Sequence, residues 1–219
     1  MNQTRRDFIK KSSAIGVSSL LPFNKNLFKM KANIRTAHIG VGGMGLNDLK
    51  AISSHKNVLV TALCDVDSNL LNEAHKLFPK AKIFKDYRVL LNNLEREIDA
   101  VVITTPDHTH GPASIMAMKK GKAIYCQKPL TNNVIDAREM SKISSQKKLV
   151  TQMGIQVHSF YDYKLAKLLI QEDVIGKIHT VRAWSPKNWG FDGKISKKED
   201  KIPDNLDWNL WLGTSPYKN

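Results

Sequence analysis

Ile34-Arg35-Thr36-Ala37-His38-Ile39-Gly40-Val41-Gly42-Gly43-Met44-Gly45 decides how the rest of the chain is read. An alternating apolar run ends in Gly40-x-Gly42-x-x-Gly45, and an apolar helical pattern opens at Leu46. That order predicts a strand, a glycine turn and a helix start. Gly40 permits the tight turn, Gly42 lets backbone approach a pyrophosphate, and Gly45 lets helix and strand pack closely. With Gly43 and Met44, the loop would offer backbone N–H groups to phosphates at the positive end of the helix. Glycine also marks ordinary strand-to-helix turns, so the triplet needs support from its surroundings.

Support comes from the next strand-like run, Val58-Leu59-Val60-Thr61-Ala62-Leu63-Cys64, which ends at Asp65. A carboxylate about 20 residues past the loop can accept hydrogen bonds from the adenosine ribose hydroxyls. It would also repel a 2′-phosphate, which favours NAD over NADP. The alternative makes Asp65 a turn residue or helix cap in Asp65-Val66-Asp67-Ser68.

The chain has 219 residues, 42% of them hydrophobic, enough for a packed core. Its net charge is +14, and residues 1–35 hold eight Lys/Arg against one Asp. The rest of the excess is dispersed as Lys-rich helix faces, which read as solvated surface and not as a nucleic-acid footprint. Cys64 and Cys126 each end a predicted buried strand and read as small buried hydrophobes. No metal-ligand spacing is present.

Thr4-Arg5-Arg6-Asp7-Phe8-Ile9-Lys10-Lys11 precedes a short apolar run, Ala14–Phe23. The pair of arginines with Phe8 resembles a twin-arginine export signal, and the run is too short to span a bilayer. Residues 1–33 are therefore expected to be a signal and linker that direct the protein to the periplasm, or outside, through the twin-arginine machinery. Strands are predicted near 34–40, 58–65, 82–84, 99–104, 123–126 and 149–153. Helices are predicted over 46–54, 68–78, 87–94 (capped by Asp86), 111–120 (closed by Gly121) and 134–147. This alternation predicts an α/β, doubly wound parallel sheet, a Rossmann domain over 34–155. Residues 156–219 would begin an incomplete α+β substrate domain, with a helix at 161–173 and a strand at Lys177–Ser185.

Strand carboxyl ends face the ligand in such sheets. Gly40–Gly45, Asp65, Thr104–His110 and Cys126–Leu130 are thus expected to gather at one crevice.

These segments resemble the Gfo/Idh/MocA oxidoreductase family. The resemblance rests on the glycine loop, Thr105-Pro106-Asp107-His108-Thr109-His110, Gln127-Lys128-Pro129-Leu130-Thr131, Gln152–His158 and Leu206-Asp207-Trp208-Asn209-Leu210-Trp211-Leu212-Gly213. The last two look like an exported bacterial branch that often bears twin-arginine signals. The resemblance implies an NAD-binding first domain, a sugar or polyol substrate, and a chain that stops soon after its second domain begins. A homo-oligomer is expected of the full-length form. It also implies that Lys128 hydrogen-bonds the reacting hydroxyl and helps move its proton. A lysine partly desolvated beside a cationic nicotinamide suits that work.

Thr105, Asp107, His110 and Gln127 are implied to lie at the cofactor, with His110 alternatively a structural histidine. Gln127 stands where the family has Glu, so it brings no negative charge to Lys128. Gln156 and His158 are candidates for the nicotinamide or substrate. Trp184 and Trp189 suit a sugar face or aromatic packing, and Trp208 and Trp211 suit packing between domains. Three functions remain open. One is an NAD-dependent oxidoreductase on a sugar, glycoside or polyol hydroxyl carbon. The second is an NAD-dependent glycosidase that oxidises C3 transiently. The third is a nucleotide-binding module inactive by itself.

Overall fold

The computed structural model describes residues 33–186, 193 and 200–217. The twin-arginine motif, the Ala14–Phe23 run and Trp189 lie outside the described residues. Six strands alternate with helices: β1 (Ile34–Ile39), α1 (Met44–Ser53), β2 (Val58–Cys64), α2 (Ser68–Leu77), β3 (Lys82–Phe84), α3 (Tyr87–Asn93), β4 (Ala100–Ile103), α4 (Asp107–Lys119), β5 (Ala123–Gln127), α5 (Val134–Lys147) and β6 (Thr151–Gly154). A 3₁₀ turn (Gln156–Ser159) and α6 (Tyr161–Gln171) follow, and α7 (Trp208–Leu212) comes last.

All strand pairs are parallel, in the order β3-β2-β1-β4-β5-β6. The order reverses between β1 and β4, the point at which sheets of this kind receive ligands. Both faces of the sheet are covered. Ala37, Ile39, Ala62, Cys64, Val101 and Ile103 face a core shared with Leu90 and Leu91 of α3, Ala113 and Ala117 of α4, and Met140 and Ile143 of α5. Leu63 points the other way, into a smaller core with Leu49 of α1 and Leu71 and Ala74 of α2. That two-sided burial is why the strands read as nearly continuous apolar runs. Cys64 and Cys126 are buried free thiols, and burial pushes both up from the ordinary thiol value.

Local signals explain most of the boundaries. Asp67 caps α2 by accepting from Asn69 and Leu70 N–H, Asp86 caps α3, and Asn133 caps α5. Gly121, at φ +76°, ends α4 in the left-handed region.

Two expectations need correcting. The helix expected to start at Gly111 begins at Asp107, directly after Pro106. Gly111-Pro112 looks like a break, yet the helix runs through it. Pro112 forgoes one N–H near the first turns, and a Cβ at Gly111 would come within 2.7 Å of Asp136 Oδ2. The strand expected at Lys177–Ser185 does not form; residues 177–186 are irregular and exposed. A strand needs a ladder, and no strand pairing among the described residues reaches 177–186. Trp184 is exposed there.

Candidate functional site

The glycine loop is built as its spacing requires. Gly40 sits at φ +81°, and a Cβ on it would run into the Thr104 carbonyl. A Cβ on Gly45 would meet the Gly40 carbonyl oxygen, which is how closely α1 approaches the end of β1. A Cβ on Gly42 would meet the tip of Leu70 at the crevice wall. The first turn of α1 has no capping side chain and no acidic residue. Its positive end is therefore left for an anion.

Asp65 lies across from the loop. One carboxylate oxygen accepts from Val41 N–H at 2.8 Å, the other from Asp67 N–H at 3.0 Å. Burial holds this carboxyl above the ordinary range, against the pull of the Asp67 and Val41 amides. Beside the loop and the carboxylate opens a cavity of about 460 Å³, within the range of small-molecule sites. Gly40, Gly42, Asp65 and Thr105 all line it. Thr105 Oγ1 is buried with no protein partner in that wall. A Cβ-free approach, an uncapped helix end, an acceptor for ribose hydroxyls and an orphaned hydroxyl together fit an adenine dinucleotide.

The cavity has a wall that the sequence reading missed. Residues 203–212 return to the turn after β2. Leu206 forms an antiparallel bridge with Asp67, and Asp207 N–H donates to the Val66 carbonyl at 3.0 Å. Asn205 donates its side-chain amide to Asp67 at 2.8 Å and accepts from Ser68 N–H at 2.9 Å. Desolvation opposes ionisation of Asp67, but the bonds from Asn205, Leu70 and Asn69 prevail and lower its carboxyl. His108 fastens the far end: Nε2 lies 2.6 Å from the Trp211 carbonyl oxygen, with the rings 4.9 Å apart. Leu206, Leu210 and Trp211 thereby close the cavity. Trp208 stacks on Trp211 at 4.8 Å. Nothing in the Leu206–Gly213 motif named Asp67 and His108 as its partners.

The other candidates divide. Gln127 is buried at the tip of β5 and Lys128 beside it is exposed; neither lines the cavity. Gln156 comes within 3.6 Å of Met44 Sδ, which puts it against the glycine loop. His158 is exposed and stacks on Tyr163. Asp107 is exposed in the first turn of α4 and is not part of the cavity wall. His110 does not open to the cavity either. It is buried, with Nδ1 2.6 Å from the Pro129 carbonyl oxygen and Nε2 2.8 Å from that of Thr105. It ties the loop after β4 to the loop after β5.

Residues 34–155 match the family model described as oxidoreductase family, NAD-binding Rossmann fold. The chain belongs to the Gfo/Idh/MocA oxidoreductase family. This Gfo/Idh/MocA chain is 32% identical over 195 residues to an inositol 2-dehydrogenase/D-chiro-inositol 3-dehydrogenase of Lactiplantibacillus plantarum, covering 83% of this chain and 53% of the relative. It is 36% identical over 132 residues to a glycosyl hydrolase family 109 protein of Stenotrophomonas maltophilia, covering 56% of this chain and 29% of that protein. The crystal structure of myo-inositol 2-dehydrogenase from Lactobacillus plantarum superposes with a TM-score of 0.62 at 28% identity, over 66% of this chain and 43% of the other. The chain thus spans about half or less of the length of these relatives. Its Rossmann domain is the NAD-binding one of the family.

Proposed function

We propose that this chain carries the nucleotide half of an NAD-dependent oxidoreductase acting on the hydroxyl carbon of a sugar, glycoside or polyol. The observation that carries the reading is the meeting of the glycine loop, Asp65 and the Gln127-Lys128 tip along one row of strand ends. The glycine loop and the start of α1 would hold the pyrophosphate, and Asp65 the adenosine ribose. NAD held there would supply the hydride acceptor in oxidation and the hydride donor in reduction. Lys128, exposed beside that site, takes the hydroxyl proton in oxidation and gives it back in reduction. Gln156, against Met44, helps position the substrate or nicotinamide.

The inositol dehydrogenase relative supports a polyol substrate. The glycosyl hydrolase relative supports a second reading, a glycosidase in which C3 oxidation is transient. Product analysis separates them: a keto product with NADH, or a free sugar with no net NADH. Export rests on Thr4–Lys11, and replacing Arg5 and Arg6 by Lys should then retain the protein inside cells.

The test begins with calorimetric titration of NAD+. Inositols, free sugars and glycosides are then screened for NADH absorbance and sugar release. Lys128→Met should leave NAD+ affinity within about twofold and abolish turnover. Turnover that survives Lys128→Met would overturn its role. NAD+ binding with no turnover on any of these substrates would leave the chain as a nucleotide-binding module.

A further inference from the structure

Gln127 is held from three sides. Its Nε2 donates to Asp48 Oδ2 at 2.9 Å, and its Oε1 accepts from Lys128 N–H at 3.2 Å. The backbone of Gly154 packs flat against the amide, so closely that an added Cβ would lie 2.8 Å from Cδ and Oε1. Asp48 is a half-buried residue in α1, and the same Oδ2 also accepts from Thr104 Oγ1 at 2.9 Å. One carboxylate oxygen therefore gathers the tips of β4 and β5 onto the helix that begins at the glycine loop.

The chemistry of this contact is directional. An ionised carboxylate only accepts hydrogen bonds, so the Gln127 amide must turn its NH2 group toward Asp48. Its oxygen is then committed to the opposite side, toward Lys128. A glutamate at 127 would instead set carboxylate against carboxylate, and one of the two would have to hold a proton. Residues 48 and 127 are a matched pair, one charged acceptor and one neutral donor.

We infer that Asp48 is a positioning residue. It locks the Gln127 carboxamide with its oxygen presented beside Lys128 as an acceptor for a hydroxyl of the bound dinucleotide, and it supplies behind that amide the negative charge that Gln127 lacks. The inference rests on the proposed reading in placing the nicotinamide end of the cofactor here. It acts through Gln127 and touches no reacting atom.

The test is a charge-exchange cycle on the 219-residue chain, read by NAD+ calorimetry, thermal melting and the side-chain amide NMR signal of Gln127. That signal is assigned by its loss in Gln127→Glu. Asp48→Asn keeps an acceptor for Thr104, so the fold should stand, while NAD+ affinity should fall about five- to tenfold and the amide signal should move. Gln127→Glu should lose at least as much affinity and melt lower at neutral pH, recovering as acid protonates one carboxyl. The double variant Asp48→Asn/Gln127→Glu restores one carboxylate and one amide, and should return NAD+ affinity to within about twofold of the starting chain.

A double variant no better than the product of the two singles would overturn the inference. So would Asp48→Asn with unchanged affinity and an unmoved amide signal. No substrate enters these measurements. Failure to find turnover with a sound cycle would sink only the catalytic reading, and failure to bind NAD+ at all would sink the site.

Discussion

Replacing Asp65 by Asn tests the proposed nucleotide site most directly, because the structure shows one job for this side chain and the proposed function gives it a second, with separable readouts. Its oxygens take the N–H groups of Val41 and Asp67 at 2.8 and 3.0 Å. Bonds of this charged kind contribute roughly 1.5–3 kcal/mol each. Asn keeps one acceptor oxygen and turns an NH2 toward the other amide, so about 2–4 kcal/mol of interaction is lost. Burial works the other way: it disfavours the charged carboxylate here, and a neutral amide escapes that cost. The net loss of stability should be about 1–3 kcal/mol, measured by urea unfolding.

The second job concerns the ribose. A unit charge pair at about 4 Å and an effective dielectric of about 20 repels by roughly 4 kcal/mol. Even halved by solvent, that excludes a 2′-phosphate by about 2 kcal/mol, or about thirtyfold in affinity. Asp65→Asn should therefore compress the ratio of NADP+ to NAD+ dissociation constants by at least about thirtyfold. Calorimetry with both nucleotides measures it. A folded variant whose ratio is unchanged would refute the placement of the ribose at Asp65.

Four further outcomes follow from the structure. Gly45→Ala drives a methyl into the Gly40 carbonyl, which cannot turn aside, and should cost at least about 2 kcal/mol of stability. Gly42→Ala meets only the flexible tip of Leu70, so the fold should hold within about 1 kcal/mol while NAD+ affinity drops about tenfold or more; normal binding would remove Gly42 from the phosphate path. Trp211→Ala strips a cavity wall and two ring contacts, which are together worth about 1–3 kcal/mol, and calorimetry should show weaker NAD+ binding than in the parent chain. Last, His38 is buried against Thr36, and burial pushes its imidazole down to about 4. Between about pH 6.5 and 4 the unfolded chain takes a proton that the folded chain refuses, so stability should fall as pH drops, by up to about 3 kcal/mol. His38→Leu should flatten that slope in urea melts, and an identical slope would refute the assignment.

The six strands, the glycine turn and the cap at Asp86 belong to local chemistry, and local chemistry is what a linear reading sees. Gly111-Pro112 misled because its reason is a tertiary one, the close passage of Asp136. The run at 177–185 has the residues of a strand, but a strand is a property of its neighbours, and none is present there among the described residues. Asp48 looked like any polar residue on a solvated helix face. Its partners, Thr104 and Gln127, lie 56 and 79 residues away. The bonds between Asn205 and Asp67 and between His108 and Trp211 span still greater distances, 138 and 103 residues. Nothing short-range encodes such meetings.

The return of residues 203–212 to the turn after β2 has a consequence for biosynthesis. A ribosome delivers the glycine loop and Asp65 long before Asn205 and Trp211. The emerging polypeptide thus exposes an open groove first and acquires its far wall only when translation has passed Trp211. On the proposed reading, full enclosure of a dinucleotide would accordingly come late in the maturation of this protein.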